Sequence, residues 1–161
     1  ISDKLVQLLQ YRINQEEFSY RLYKSMSEWL SFNGFTGAAY LWSKYSDEEQ
    51  KHAQWTYSFL SDLDILPVVD ELKKPSGEFK GLCDIIELSY AHEVTITRQC
   101  NELFMTAMSE GCGMVTQLSL KYQAEQVEEL GKMTKWLDRL EAFGEDTNSL
   151  RFLDNEMSEV K

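Results

Sequence analysis

Glu16, Glu49 with His52, Glu93, and Gln126 with Glu129 each interrupt a stripe of mostly apolar residues recurring at helical spacing in this 161-residue chain. Burying an unpaired carboxylate is costly, so one per stripe is tolerable only where a common cation neutralises them. Glu49 and His52 are three apart and project from one helical face a turn apart, so they can give one metal a carboxylate and an imidazole. Ligands rich in oxygen, with one histidine and no thiolate, suit iron or manganese better than structural zinc. The reading is a di-iron site. Gln126-x-x-Glu129 stands where a second Glu-x-x-His would complete a symmetrical set. With one histidine missing, the second iron is held more weakly, which suits iron that passes through.

The elements that carry these groups follow from apolar residues at alternating spacings of three and four. The first stripe is Leu9, Ile13, Glu16, Tyr20 and Tyr23, in a helix opened by Ser2 as N-cap and ended near Asn33-Gly34. Glu17 shares a phase with Gln10, Arg21 and Lys24 and belongs to a solvated face. The second stripe runs from Phe35 through Ala38, Trp42, Tyr45, Glu49, His52 and Thr56 to Phe59. The third is Leu82, Ile86, Ser89, Glu93, Ile96, Cys100, Leu103 and Ala107, stopped by Gly111-Cys112-Gly113. The fourth is Val115, Ser119, Tyr122, Gln126, Glu129, Met133, Trp136, Leu140 and Phe143. A short amphipathic piece with Leu150, Leu153 and Met157 follows.

Both prolines, Pro67 and Pro75, lie in one polar connection from about Asp62 to Lys80, which can run the length of a bundle. The first two helices and the last two are joined tightly. The fold class is therefore all-α, an antiparallel four-helix bundle over about 2–143 with one long crossover, plus a short C-terminal helix over about 147–159. Residues 1–161 read as a single domain. The ligand-bearing residues sit near the middle of each helix, where antiparallel neighbours share a level.

Composition narrows the partners. Sixteen basic against 27 acidic residues give a formal charge of −11, and no basic run offers a footing for nucleic acid. Cys83, Cys100 and Cys112 form no disulfide or zinc pattern and fit a reducing compartment. With no leader-like segment and no apolar run of about 18 residues, the expectation is a cytoplasmic protein without membrane attachment. Cys112 in its glycine turn is an exposed, reactive thiol on this reading, and His92 a neutral neighbour of Glu93.

Six segments carry a resemblance that covers essentially the whole chain. They are Asn14-Gln15-Glu16-Glu17-Phe18-Ser19 with Leu22-Tyr23, Gly34-Phe35-Thr36-Gly37-Ala38-Ala39, and Asp47-Glu48-Glu49-Gln50-Lys51-His52. His92-Glu93 with Asn101-Glu102-Leu103, Ala124-Glu125-Gln126-Val127-Glu128-Glu129, and Leu150-Arg151-Phe152-Leu153-Asp154 complete the set. The sequence resembles the bacterial-type non-haem ferritins. That resemblance implies a ferroxidase centre in which Glu16, Glu49, His52 and Glu93 bind two irons, Glu49 bridging and Gln126 beside the second. It implies a hydrogen bond at the centre from Tyr23, and a third iron site formed by Glu48, Glu125, Glu128 and Glu129. The implied activity is oxidation of Fe(II) by O₂ followed by storage of Fe(III) as a mineral. The implied assembly is a homo-oligomeric cage of 24 subunits, with the short last helix lining four-fold axes.

Departures from neighbouring families matter. Gln50 stands where bacterioferritins carry a haem-ligating methionine, and Glu128-Glu129-Leu130 lacks their second histidine, so haem is not expected. Thr116 and Ser119 are neutral where animal ferritins place channel acids. Two other functions remain open at this level: a rubrerythrin-like di-iron oxidase or peroxidase, and a non-enzymatic acidic bundle that binds divalent cations. Taken without the resemblance, Tyr23 also fits a core aromatic, and Glu125, Glu128 and Glu129 fit an ordinary charged helix surface.

Overall fold

The computed structural model describes residues 1–161, whose regular structure is five helices and no strand: α1 Asp3–Phe32, α2 Thr36–Asp62, α3 Leu82–Ser109, α4 Gly113–Phe143 and α5 Thr147–Ser158. Ser2 caps α1 by accepting from the Leu5 amide at 3.2 Å, satisfying one of the donors a helix start leaves free. Gly34 adopts φ +88° between α1 and α2, a conformation that lets the chain reverse in a turn a β-carbon would strain. The α1–α2 and α3–α4 connections are tight, and residues 63–81 form the crossover. The result is the four-helix bundle with one long crossover and a short fifth helix.

The crossover is strapped to α1. Gln10 pairs with Val68 in both directions, its amide donating to the Val68 carbonyl and its Oε1 accepting from the Val68 amide at 2.9 Å. Further along α1, Asn14 donates to the Glu71 carbonyl at 3.2 Å and Ser25 to the Ser76 carbonyl at 2.6 Å. The segment is thus held by hydrogen bonds from α1 side chains to its main chain.

Two apolar clusters form the core. One holds Tyr23, Met26, Leu30, Trp42, Ile86 and Trp136. The other holds Leu9, Ile13, Leu60, Ile96, Leu103 and Tyr122. Along each of the four long helices the ligand-bearing residues fall between the two clusters, so antiparallel packing gathers them into one polar belt with apolar material on either side.

The third stripe is buried along its whole length. Elsewhere the buried face is wider than a single file, because 3.6 residues per turn let flanking positions share it. Arg12 and Ser19 are buried on α1 while Tyr20 is only half-buried, Leu60 is buried beside a half-buried Phe59, and Phe143 is exposed beyond Leu140. Glu17 departs from its expected solvated place: it is half-buried and accepts the Tyr57 hydroxyl. Cys112 is also half-buried in its turn.

Helix α5 docks through Leu153 and Met157, which join the cluster around Trp42 and Trp136. Gly37 makes the docking possible. A β-carbon there would lie 1.9 Å from the Asp154 carbonyl oxygen, and the neighbouring Ala38 amide donates to Asp154 Oδ1 at 2.7 Å.

Candidate metal centre

All four long helices contribute to the belt: α1 brings Glu16, α2 Glu49 and His52, α3 Glu93, and α4 Gln126 and Glu129. All six are buried. Two groups bring ligand atoms within 4.8 Å of one another: Glu16, Glu49 and His52 in one, and Glu49, Glu93 and Glu129 in the other. Glu49 belongs to both. His52 Nδ1 lies 3.3 Å from Glu49 Oε2 and 3.8 Å from Glu16 Oε2.

The donor set has the unsatisfied valence that a cation requires. Both oxygens of Glu16, Oε1 of Glu49 and Oε2 of Glu129 are buried without a hydrogen-bond partner. Buried polar atoms are nearly always paired, so four orphaned carboxylate oxygens in one belt are a donor set that a cation would fit. The proton affinities agree. Desolvation and the nearby Glu16 carboxylate hold the Glu49 carboxyl well above the usual range. Desolvation, then the Glu93 charge, raises Glu129 to about 7 despite Lys132 beside it. Desolvation raises Glu93 as well, against the opposing hydrogen bonds from Tyr23 and Gln126.

Other side chains orient the ligands. Tyr23 donates its hydroxyl to Glu93 Oε1, and Gln126 Nε2 donates to Glu93 Oε2 at 2.9 Å and to Thr97 Oγ1 at 3.0 Å. Gln126 therefore presents an amide N–H to Glu93, while Glu129 supplies the carboxylate that faces Glu49 and Glu93. Tyr122 donates to the His52 carbonyl at 2.5 Å and lies 2.7 Å from Thr56 Oγ1, fixing the turn that carries the imidazole. His92 stands 2.7 Å from Ser19 Oγ, and burial lowers its pKa to about 4, so it is neutral.

The four acids of the expected third site have different partners. Glu125 Oε2 lies 3.5 Å from His52 Nε2, while Glu48 and Glu129 both contact Lys132. Glu128 is exposed and joins no ion pair of the belt.

A family model described as ferritin-like domain matches residues 6–143. The chain belongs to the ferritin family. This ferritin chain is 32% identical over 160 residues to the probable bacterial non-heme ferritin-like protein of Haemophilus influenzae, covering 99% of this chain and 97% of that protein. It is 30% identical over 158 residues to the bacterial non-heme ferritin of Escherichia coli O157:H7, covering 98% and 96%. An open pore ferritin from the hyperthermophilic archaeon Archaeoglobus fulgidus matches with a TM-score of 0.96 at 32% identity, over 100% of this chain and 99% of that one.

Two charged residues of this ferritin escape a search for apolar stripes interrupted by acids. Arg12 is buried with its Nε 3.1 Å from Glu16 Oε1, an ion-pair contact whose alignment leaves both groups short of a hydrogen bond. Its Nη1 donates to Cys100 Sγ at 3.6 Å. Lys132 Nζ lies 2.8 Å from Glu48 Oε2 and 2.9 Å from Glu129 Oε1. Burial opposes the charge on Lys132, but Glu129 and Glu48 more than offset it and raise its pKa. Spacing held the signal: each cation is three or four residues from a belt acid on its own helix.

Proposed function

We propose that the protein is an iron-storage ferroxidase. The observation that carries this reading is a pair of ligand groups sharing Glu49, with orphaned carboxylate oxygens in both. Fe(II) as substrate enters the two groups, Glu16, Glu49 and His52 holding one ion and Glu49, Glu93 and Glu129 the other. Gln126 and Tyr23 hold Glu93 in place from opposite oxygens. Two Fe(II) give one electron each to O₂, which takes up two protons and leaves as hydrogen peroxide, and the Fe(III) ions then move on. Charge favours that departure, because the acids of Glu48 and Glu125 border the pair on its less buried side.

Storage as a mineral inside a homo-oligomeric cage of 24 subunits is supported by the family and by the near-complete coverage of relatives named ferritins. The long exposed apolar residues Phe32, Val127 and Phe152 suit burial between subunits. Three free cysteines fit a reducing, cytoplasmic setting. No helix is long and apolar enough to cross a membrane.

The test adds Fe(II) anaerobically and then O₂, following absorbance and the iron retained per particle. A double variant Glu49→Ala, His52→Ala is expected to lose initial oxidation by about 100-fold or more, since it strips a ligand from both groups. Equal rates in wild type and variant would remove the proposed centre. A particle near the mass of one or two 18.8 kDa chains would remove the storage reading.

A further inference from the structure

We propose that Lys132 is a tethered cation that reserves Glu48 and Glu129 against a third metal ion, which enters only by displacing its ammonium. The inference rests on the metal-centre reading above and concerns how many ions the centre holds.

Geometry carries it. The Lys132 ammonium lies within hydrogen-bond distance of a carboxylate from α2 and one from α4, at 2.8 and 2.9 Å, with the Tyr45 ring 5.3 Å away. A divalent ion bridging Glu48 and Glu129 would need the same lone pairs and the same space. Glu129 is divided: Oε1 faces Lys132 and Oε2 is buried and orphaned. The lysine thus leaves Glu129 able to serve the inner pair while closing its outer oxygen.

Charge agrees with the geometry. Glu16, Glu48, Glu49, Glu93, Glu125 and Glu129 carry six negative charges when ionised, and Arg12 and Lys132 return two. The four that remain match two Fe(II). A third divalent ion would bring the cluster to +2 with Lys132 in place and to +1 with it withdrawn, so withdrawal lowers the excess charge, and a partly exposed lysine on a flexible stem can withdraw.

Redox-inert Zn(II) tests this in the metal-free full chain by calorimetric titration near neutral pH. Wild type should take two ions in its tight class. Lys132→Met should bind a third about tenfold or more tightly than wild type does, because an opposing charge at contact distance is gone. Lys132→Arg should keep the wild-type pattern, and adding Glu48→Gln to Lys132→Met should abolish the gain. A second measurement needs no variant: amine labelling of Lys132, read by mass spectrometry, should stay constant through two equivalents of Zn(II) and rise at the third. An unchanged third affinity in Lys132→Met, or labelling that rises from the first equivalent or not at all, would overturn the inference alone. Wild type that binds no Zn(II) in the belt would overturn it together with the metal-centre reading.

Discussion

The two ends of the candidate metal centre are neutralised in opposite ways. At the Glu16 end the resident cation is Arg12, whose side chain is 2% exposed; at the Glu129 end it is Lys132, 30% exposed. A guanidinium cannot lose its proton under ordinary conditions and, once enclosed, has nowhere to go. The ammonium sits at the rim, on a stem that can reach water. One end therefore has a permanent counter-charge and the other a removable one.

The most direct way to break that contrast is to remove each cation in turn. Arg12→Met should destabilise the metal-free protein by about 3 kcal/mol, because the buried Glu16 carboxyl loses its guanidinium partner. Lys132→Met should cost about 1 kcal/mol or less, since its contacts are partly solvated. Denaturant unfolding of both variants checks the order, and equal losses would erase the distinction. Zn(II) should restore much of the Arg12→Met loss by supplying the missing charge.

A smaller effect follows from proton affinity. Glu129 has a folded-state pKa of about 7 against an ordinary 4.5, so the folded chain keeps a proton that the unfolded chain has released. Its contribution is full below the ordinary carboxyl range and is lost as pH rises through 7. The raised Glu49 and Glu93 act in the same direction, against the single opposing contribution of His92, whose pKa is lowered to about 4. Melting temperature of the metal-free protein should accordingly fall between about pH 4.5 and 7. With saturating Zn(II) the slope should flatten or reverse, as metal replaces the protons. A metal-free stability that climbed across this range would contradict the buried-carboxylate account.

Tyr23→Phe keeps the ring and removes one hydrogen bond to Glu93. The expected stability change is about 1 kcal/mol. Zn(II) binding at the Glu49, Glu93 and Glu129 group should weaken, with the Glu16, Glu49 and His52 group unaffected. Equal weakening at both would show that Tyr23 acts on general packing and not on one ligand.

How much of this is legible in the sequence varies with the kind of signal. The third stripe can be read from Leu82 to Ala107 because α3 is apolar on one face and its helical phase is unbroken. Glu16, Glu49, His52 and Glu93 stand out because a carboxylate in such a stripe is conspicuous. Arg12 and Lys132 do not, since a basic residue near an acid on one helix resembles an ordinary surface pair until burial is known. The division of labour between Gln126 and Glu129 depends on the rotation and stagger of α4 against α2 and α3, which spacing along one helix does not specify. Gln10 and Val68 lie 58 residues apart in a pairing that has no period at all.

That last contact has a consequence for assembly. Chains made of two helical hairpins joined by a long linker are natural candidates for exchanging one hairpin with a second copy. Here the linker is fastened along the outer face of α1 at Gln10, Asn14 and Ser25. An exchange would have to strip those fastenings before either hairpin could depart, so the strap favours a chain closed on itself over an exchanged one.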